Sequence, residues 1–174
     1  LDFKEKVSAD AMVTKTPGVV LCILTADCAP ILFYEKKNNV IAIAHVGWKG
    51  AIDGIIKKTI DKMIKVGAEK RKIIAVVGPC ISKKNYSVKN DFFKIFTNKS
   101  SKNKVFFKKL QENNFLFDFP FFIKTLLHEE NIKNINFLNI CTFEEKEKFY
   151  SYRKHTIDKK NINGRFLSYI RLHD

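Results

Sequence analysis

Residues 19–50 read VVLCILTADCAPILFYEKKNNVIAIAHVGWKG, and the fold turns on how this stretch is parsed. Residues 19–24, 31–34 and 40–45 are three apolar runs rich in β-branched and aromatic side chains, the composition of buried strands. The turn-forming Lys36, Lys37, Asn38 and Asn39 separate the second run from the third. Those two therefore read as a hairpin, with Pro30 facing the region just before His45. After His45 the period changes. Ile52, Ile55, Ile56, Ile60, Met63 and Ile64 recur at helical spacing, and Lys57, Lys58, Asp61, Lys62 and Lys65 fall on the other side. This predicts one surface helix ended by Gly67.

Residues 73–77 read as a further buried strand running into the turn Gly78-Pro79-Cys80. Residues 88–96 and 120–130 have helical periodicity, with Pro120 suited to a first helical turn. The SSKNK segment at 100–104 is polar and expected to be exposed. Residues 135–140 and 166–172 read as strands, the last placing Phe166, Ser168, Ile170 and Leu172 on one face after a turn at Asn163-Gly164. No internal repeat, heptad run or low-complexity tail interrupts the pattern. The expectation is a single α+β domain over residues 1–174. A chain of 174 residues with 45% hydrophobic content closes one sizeable core.

The formal net charge of +14 points toward polyanions, but 28 of the 32 basic residues are lysine and only Arg71, Arg153, Arg165 and Arg171 are arginine. A nucleic-acid surface interleaves arginine with exposed aromatics, whereas here the 16 phenylalanines sit mostly within apolar runs. Specific nucleic-acid binding is not expected. No apolar run approaches the roughly 20 residues of a membrane span, and LDFKEKVSAD lacks the features of a signal peptide. Cys22, Cys28, Cys80 and Cys141 have no paired spacing, which fits reduced thiols in the cytoplasm. The chain begins with leucine, so an N-terminal segment is expected to be missing. Nothing in the sequence specifies an oligomeric state.

Cys28 follows the first strand and His45 ends the third, so strands about 4.8 Å apart would bring the two toward one mouth. Three readings are open. Cys28 packs as a small hydrophobe with His45 a hydrogen-bonded core residue; thiolate and imidazole are two ligands of a catalytic zinc; or they are a nucleophile and its base. Both catalytic readings need an ionised, partly accessible thiol.

Several motifs follow one another along nearly the whole chain: SADAMVTKTPG (residues 8–18), TADCAPI (25–31), AHVGWKG (44–50), GPCI (78–81), NYSV (85–88), then CT, FYSYRK and NGR. In this order they resemble the laccase-domain, polyphenol oxidase-like family of zinc-dependent purine nucleoside phosphorylases with adenosine deaminase activity. The resemblance implies a central β-sandwich flanked by helices in a four-layer α/β/β/α arrangement, and a metal held by one cysteine and two histidines. Residue by residue, Cys28 and His45 match two of those ligands. The third, a histidine upstream of the SADA segment, has no counterpart here, since His128, His155 and His173 all follow Cys28. It is expected in the missing segment.

The resemblance implies a purine nucleoside and phosphate as substrates and zinc as cofactor, with copper as the other metal. A multicopper cluster is disfavoured because four histidines in all cannot supply its many imidazoles. The loop from His45 to Gly50 opens into the helix, so its backbone N–H groups and Lys49 offer an anion seat. The other reading is a tight turn with Trp48 in the core. Lys49 stands where the family has arginine; it keeps the charge but loses the planar fork. Asp27, beside Cys28, is a candidate acid or base, or a group orienting His45; it equally reads as a turn cap. Arg153 and Arg165, in family-like motifs, are candidate phosphate or ribose contacts or carboxylate-paired structural residues. Cys80 and Cys141 read as packing residues at turns and strand ends. A metal-free Cys-His hydrolase, resembling toxin deamidases of this broad fold, is the alternative.

Overall fold

The computed structural model describes residues 8–159 and 164–173. In chain order the elements are β1 (Ala11–Thr14), β2 (Val20–Thr25), β3 (Ala29–Glu35), β4 (Val40–Val46), α1 (Trp48–Ile52), α2 (Ile55–Lys65), β5 (Ile74–Val77), β6 (Ser87–Lys89), α3 (Asn90–Lys99), β7 (Phe107–Gln111), β8 (Asn114–Phe117), α4 (Phe119–Glu129), β9 (Asn134–Phe137), α5 (Tyr152–Ile157) and β10 (Phe166–Arg171). Five strands form one sheet in the order β1-β4-β3-β5-β9, antiparallel except for the parallel β5–β9 pair. A two-stranded sheet, β10-β2, and a three-stranded sheet, β6-β8-β7, complete the set.

Strand alternation explains the layering. On β4, Val40, Ala42, Ala44 and Val46 face a core shared with Ile56, Ile60 and Met63 of α2 and with Phe119, Phe122, Ile123 and Leu127 of α4. Ile41 and Ile43 face the opposite way, against Leu21 and Ile23 of β2 and Leu172 beyond β10. Two sheets thus pack face to face, and helices cover the outer face of the larger one. This is the expected α+β sandwich. Three layers lie within the described residues; Val20, Leu24, Leu167 and Tyr169 are exposed on the outer face of β2 and β10.

The β3–β4 turn forms where the charged and amide residues predict it. Glu35 is buried at its base and accepts hydrogen bonds from the Lys37 N–H (2.8 Å), the Asn38 N–H (3.0 Å) and Asn38 Nδ2 (2.9 Å). The expected alternation of Phe166, Ser168 and Ile170 inward is present on β10, while Asn163 lies outside the described residues. Among the described residues no helix is long and apolar enough to cross a membrane.

Three expectations are corrected. The single helix after His45 is two, α1 and α2, because Gly54 adopts φ 86° and breaks the ladder. Val88 belongs to β6, so α3 begins later, at Asn90. Strand β9 ends at Phe137 rather than 140. The phenylalanines of the second half build an aromatic core in which Phe117 packs 4.8 Å from Phe96, 4.9 Å from Phe107 and 5.5 Å from Tyr86, ring centre to ring centre.

Candidate active site

Antiparallel register sets Ala29 opposite Val46 and Pro30 opposite His45. Carried one step past the start of β3, it sets Cys28 across from Gly47. The side chain agrees: Cys28 Sγ lies 3.2 Å from where a β-carbon on Gly47 would stand. Gly47 is extended, at φ −88° and ψ 166°, so that side of the chain is also the side of His45, two residues back. Thiol and imidazole therefore emerge on the same face of adjacent strand ends as diagonal neighbours, a relation that sets α-carbons about 7–8 Å apart.

His45 is braced by a residue that the sequence reading did not single out. Its backbone N–H donates to the Asp10 carbonyl at 2.7 Å, and its Nδ1 lies 3.1 Å from Asp10 Oδ1. β1 pairs with β4 with Ala11 opposite Ala44, which carries Asp10 to the imidazole. With Nδ1 engaged, Nε2 is the nitrogen left for another partner. The signal available in the sequence was the SADA motif itself.

Asp27 takes φ 77°, a left-handed conformation that aspartate tolerates better than most residues. Its Oδ1 accepts from Thr142 Oγ1 at 2.6 Å and its Oδ2 from the Arg153 N–H at 2.6 Å, while its carbonyl accepts from the Ile81 N–H at 3.0 Å. No described hydrogen bond joins it to His45; the carboxylate that orients the imidazole is that of Asp10. Asp27 instead ties the Cys28 loop to two distant segments. Burial above all, and then the Asp27 carboxylate, push the Cys28 thiol up to about 11, with Arg165 acting in the opposite sense. At pH 7 only about one thiol in 10⁴ would be ionised without a neighbouring cation.

Cys28 and Asp27 open into a cavity of about 430 Å³ whose walls include Trp48, Tyr86, Phe119 and Arg153. The Arg153 guanidinium lies 5.4 Å from the centre of the Tyr86 ring, and burial holds the Tyr86 hydroxyl well above its ordinary pKa. The cavity is aromatic on its sides with a cation at its edge. Lys49 is exposed, lies over the Trp48 ring at 5.5 Å and is not among the wall residues. The helix that begins at Trp48 is five residues long, which leaves little aligned dipole for an anion seat. Arg165 donates from Nη1 to the Gly164 carbonyl at 2.8 Å and acts on Cys28 through its charge.

Among the described residues no group of three or more histidine, cysteine, aspartate or glutamate side chains could hold a metal ion. Cys28 and His45 are a pair of donors, and their chemistry fits zinc. One is sulfur, the other an imidazole whose second nitrogen meets a carboxylate, as in metal-bound histidines. Gly47 leaves open the space beside the sulfur that any side chain would fill.

Residues 2–173 match the family model described as multi-copper polyphenol oxidoreductase laccase, and the chain belongs to that family. A Rickettsia prowazekii protein named purine nucleoside phosphorylase is 35% identical over 163 residues, covering 93% of this chain and 67% of the relative. A Haemophilus influenzae protein of the same name is 34% identical over 168 residues, covering 95% and 66%. The crystal structure of Neisseria meningitidis protein NMB0706 superposes with a TM-score of 0.85 at 30% identity, over 95% of this chain and 65% of that one. This chain thus spans about two thirds of the length of the relatives it matches.

Proposed function

We propose that the chain forms the core of a purine nucleoside phosphorylase in which Cys28 and His45 supply two ligands to a zinc ion, with adenosine deamination as a second activity of the same pocket. The observation that carries this reading is the emergence of thiol and imidazole on one face of adjacent strand ends, with Cys28 also lining the aromatic cavity. The relatives' names support the reaction class. Flat aromatic walls suit a purine base, and Arg153 at the edge suits an anion.

In phosphorolysis a phosphate oxygen forms a bond to the anomeric carbon, the glycosidic bond breaks, and the purine leaves with the bonding pair and takes up a proton. Trp48, Tyr86 and Phe119 hold the base and exclude water from it. The Arg153 side chain and, through its charge, Arg165 draw phosphate to the opening. Asp27, fixed by Thr142 and the Arg153 backbone, is the carboxylate nearest Cys28 in sequence and the candidate for moving the proton. Asp10 holds His45 in the orientation that presents Nε2. Bound zinc would supply Lewis acidity and, for deamination, a water of lowered pKa. Four free cysteines fit the reducing cytoplasm as the working compartment.

The test is base release from adenosine and inosine with and without phosphate. The expected result is ribose 1-phosphate formation that requires phosphate and stops when chelator removes the metal. Base release indifferent to phosphate would overturn the phosphorylase reading. The metal-free Cys-His hydrolase would instead be favoured by an activity that thiol alkylation abolishes and chelator leaves unchanged. A β-carbon at residue 47 meets the sulfur, so Gly47→Ala is expected to lower zinc affinity about 10- to 100-fold, the range in which displaced ligand supports act. A competition titration against a chromogenic chelator reads it, and an unchanged affinity would remove Cys28 from the ligand set.

A further inference from the structure

A second cavity, of about 310 Å³, opens beside the first, and Cys80 and Cys141 both line it. The backbone sets their spacing. The Cys80 N–H donates to the Ile140 carbonyl at 3.2 Å and the Thr142 N–H donates to the Cys80 carbonyl at 3.2 Å, making Cys80 and Cys141 direct partners across an isolated parallel bridge. Such partners carry neighbouring side chains on one face, with strands about 4.8 Å apart. A spacing of that order falls within the α-carbon range a disulfide spans, about 4.4 to 6.8 Å.

The two thiols are chemically unequal. Cys141 Sγ accepts hydrogen bonds from the Ser82 N–H and from Asn85 Nδ2, both at 3.4 Å. Asn85 is held in turn by Glu144 Oε1 at 2.9 Å and Ser82 Oγ at 3.2 Å. Burial alone would raise the Cys141 thiol, but the hydrogen bonds from Ser82, the Glu144 backbone and Asn85 outweigh it and leave the thiol below its ordinary value. Burial pushes Cys80, to which no described side chain or N–H donates, up to about 12. One sulfur is held by hydrogen-bond donors that favour its thiolate, and the other stands beside it without that help.

We propose that Cys141 and Cys80 form a hydroperoxide-reactive dithiol, with Cys141 the attacking sulfur and Cys80 the resolving one. The Cys141 thiolate attacks the terminal oxygen of a hydroperoxide. A sulfur–oxygen bond forms, the oxygen–oxygen bond breaks, and the alkoxide or hydroxide leaves as alcohol or water after taking a proton. Sulfur is oxidised by two electrons to sulfenic acid and the peroxide is reduced. Cys80 then attacks that sulfur, the sulfur–sulfur bond replaces the sulfur–oxygen bond, and hydroxide departs as water with the Cys80 proton. Closing the bond brings the two sulfurs to bonding distance and draws with them the segments that carry them.

The residue after each cysteine grips Asp27: the Ile81 N–H its carbonyl, the Thr142 hydroxyl its carboxylate. Oxidation of the pair therefore pulls on the loop that carries Cys28. The dithiol itself rests on its own geometry and stands whether or not the Cys28 pocket is a phosphorylase site.

The experiment uses a Cys22→Ser background, since Cys22 is exposed and would cross-link chains. Hydrogen peroxide is added at one equivalent and the protein is mapped by non-reducing mass spectrometry. A Cys80–Cys141 linked peptide, lost on adding dithiothreitol, is expected. In Cys80→Ser a sulfenic acid at Cys141 is expected to be trapped by dimedone. Asn85→Ala leaves both thiols in place and removes one donor, so dimedone labelling at Cys141 is expected to slow several-fold. Oxidation spread evenly over the cysteines, no linked peptide, or a labelling rate untouched by Asn85→Ala would each overturn the proposal.

Discussion

On the proposed zinc-phosphorylase reading, replacing Cys28 or His45 by alanine is expected to abolish zinc binding and to slow phosphate-dependent nucleoside cleavage by about 10³-fold, roughly 4 kcal/mol of metal-assisted stabilisation. The two side chains leave adjacent strand ends on one face, and no other described histidine or cysteine joins them in a cluster that could hold a metal. Loss of either leaves a single one of the two proposed ligands. Elemental analysis reads the metal and ribose 1-phosphate formation reads the activity; the two must fall together. Full turnover in either variant would mean that the pocket works without this pair. Asp10→Asn is the informative milder change, because it keeps both ligands and alters only the group that orients the imidazole.

Phe117→Ala is expected to destabilise the fold by about 3–5 kcal/mol, the usual cost of emptying a buried phenylalanine site. In a chain of this size that lowers the melting temperature by about 10 °C. Phe117 is fully buried and its ring meets Phe96, Phe107 and Tyr86. Its ring also backs that of Tyr86, so the same change loosens a wall of the aromatic cavity. Urea unfolding measures the first effect, and a rise in KM exceeding any fall in kcat is expected for the second. A loss below about 1 kcal/mol would show that neighbouring rings collapse into the space.

The central hairpin was legible because its signals are local. Residues 31–34 and 40–45 are apolar runs too short for helices, the four turn residues between them admit little else, and the register follows from that turn. The helix break was not legible in the same way. An isolated glycine inside a helical pattern is usually tolerated, and only packing decides whether it takes a positive φ, as Gly54 does. The small sheet of β6, β7 and β8 escaped detection because β7 is mostly polar and exposed. It is held by Phe107 on the aromatic core rather than by its own period. Lys49, read from its motif as part of an anion seat, shows the same dependence on packing, since only the structure places it over the Trp48 ring and apart from the lining of the cavity.

The sequence by itself determined the α+β class, the hairpin, and the presence of a thiol and an imidazole at neighbouring strand ends, because strand period and turn chemistry act over a few residues. Only the tertiary structure decided which carboxylate serves which group. Asp10 reaches His45 across 35 residues of chain, while Asp27 is gripped by Thr142 and Arg153 from 115 and 126 residues away. Contacts of that separation exist only once the sheets have packed, since it is the pairing of β1 with β4 and the return of the 142–153 segment that bring their partners within hydrogen-bonding distance.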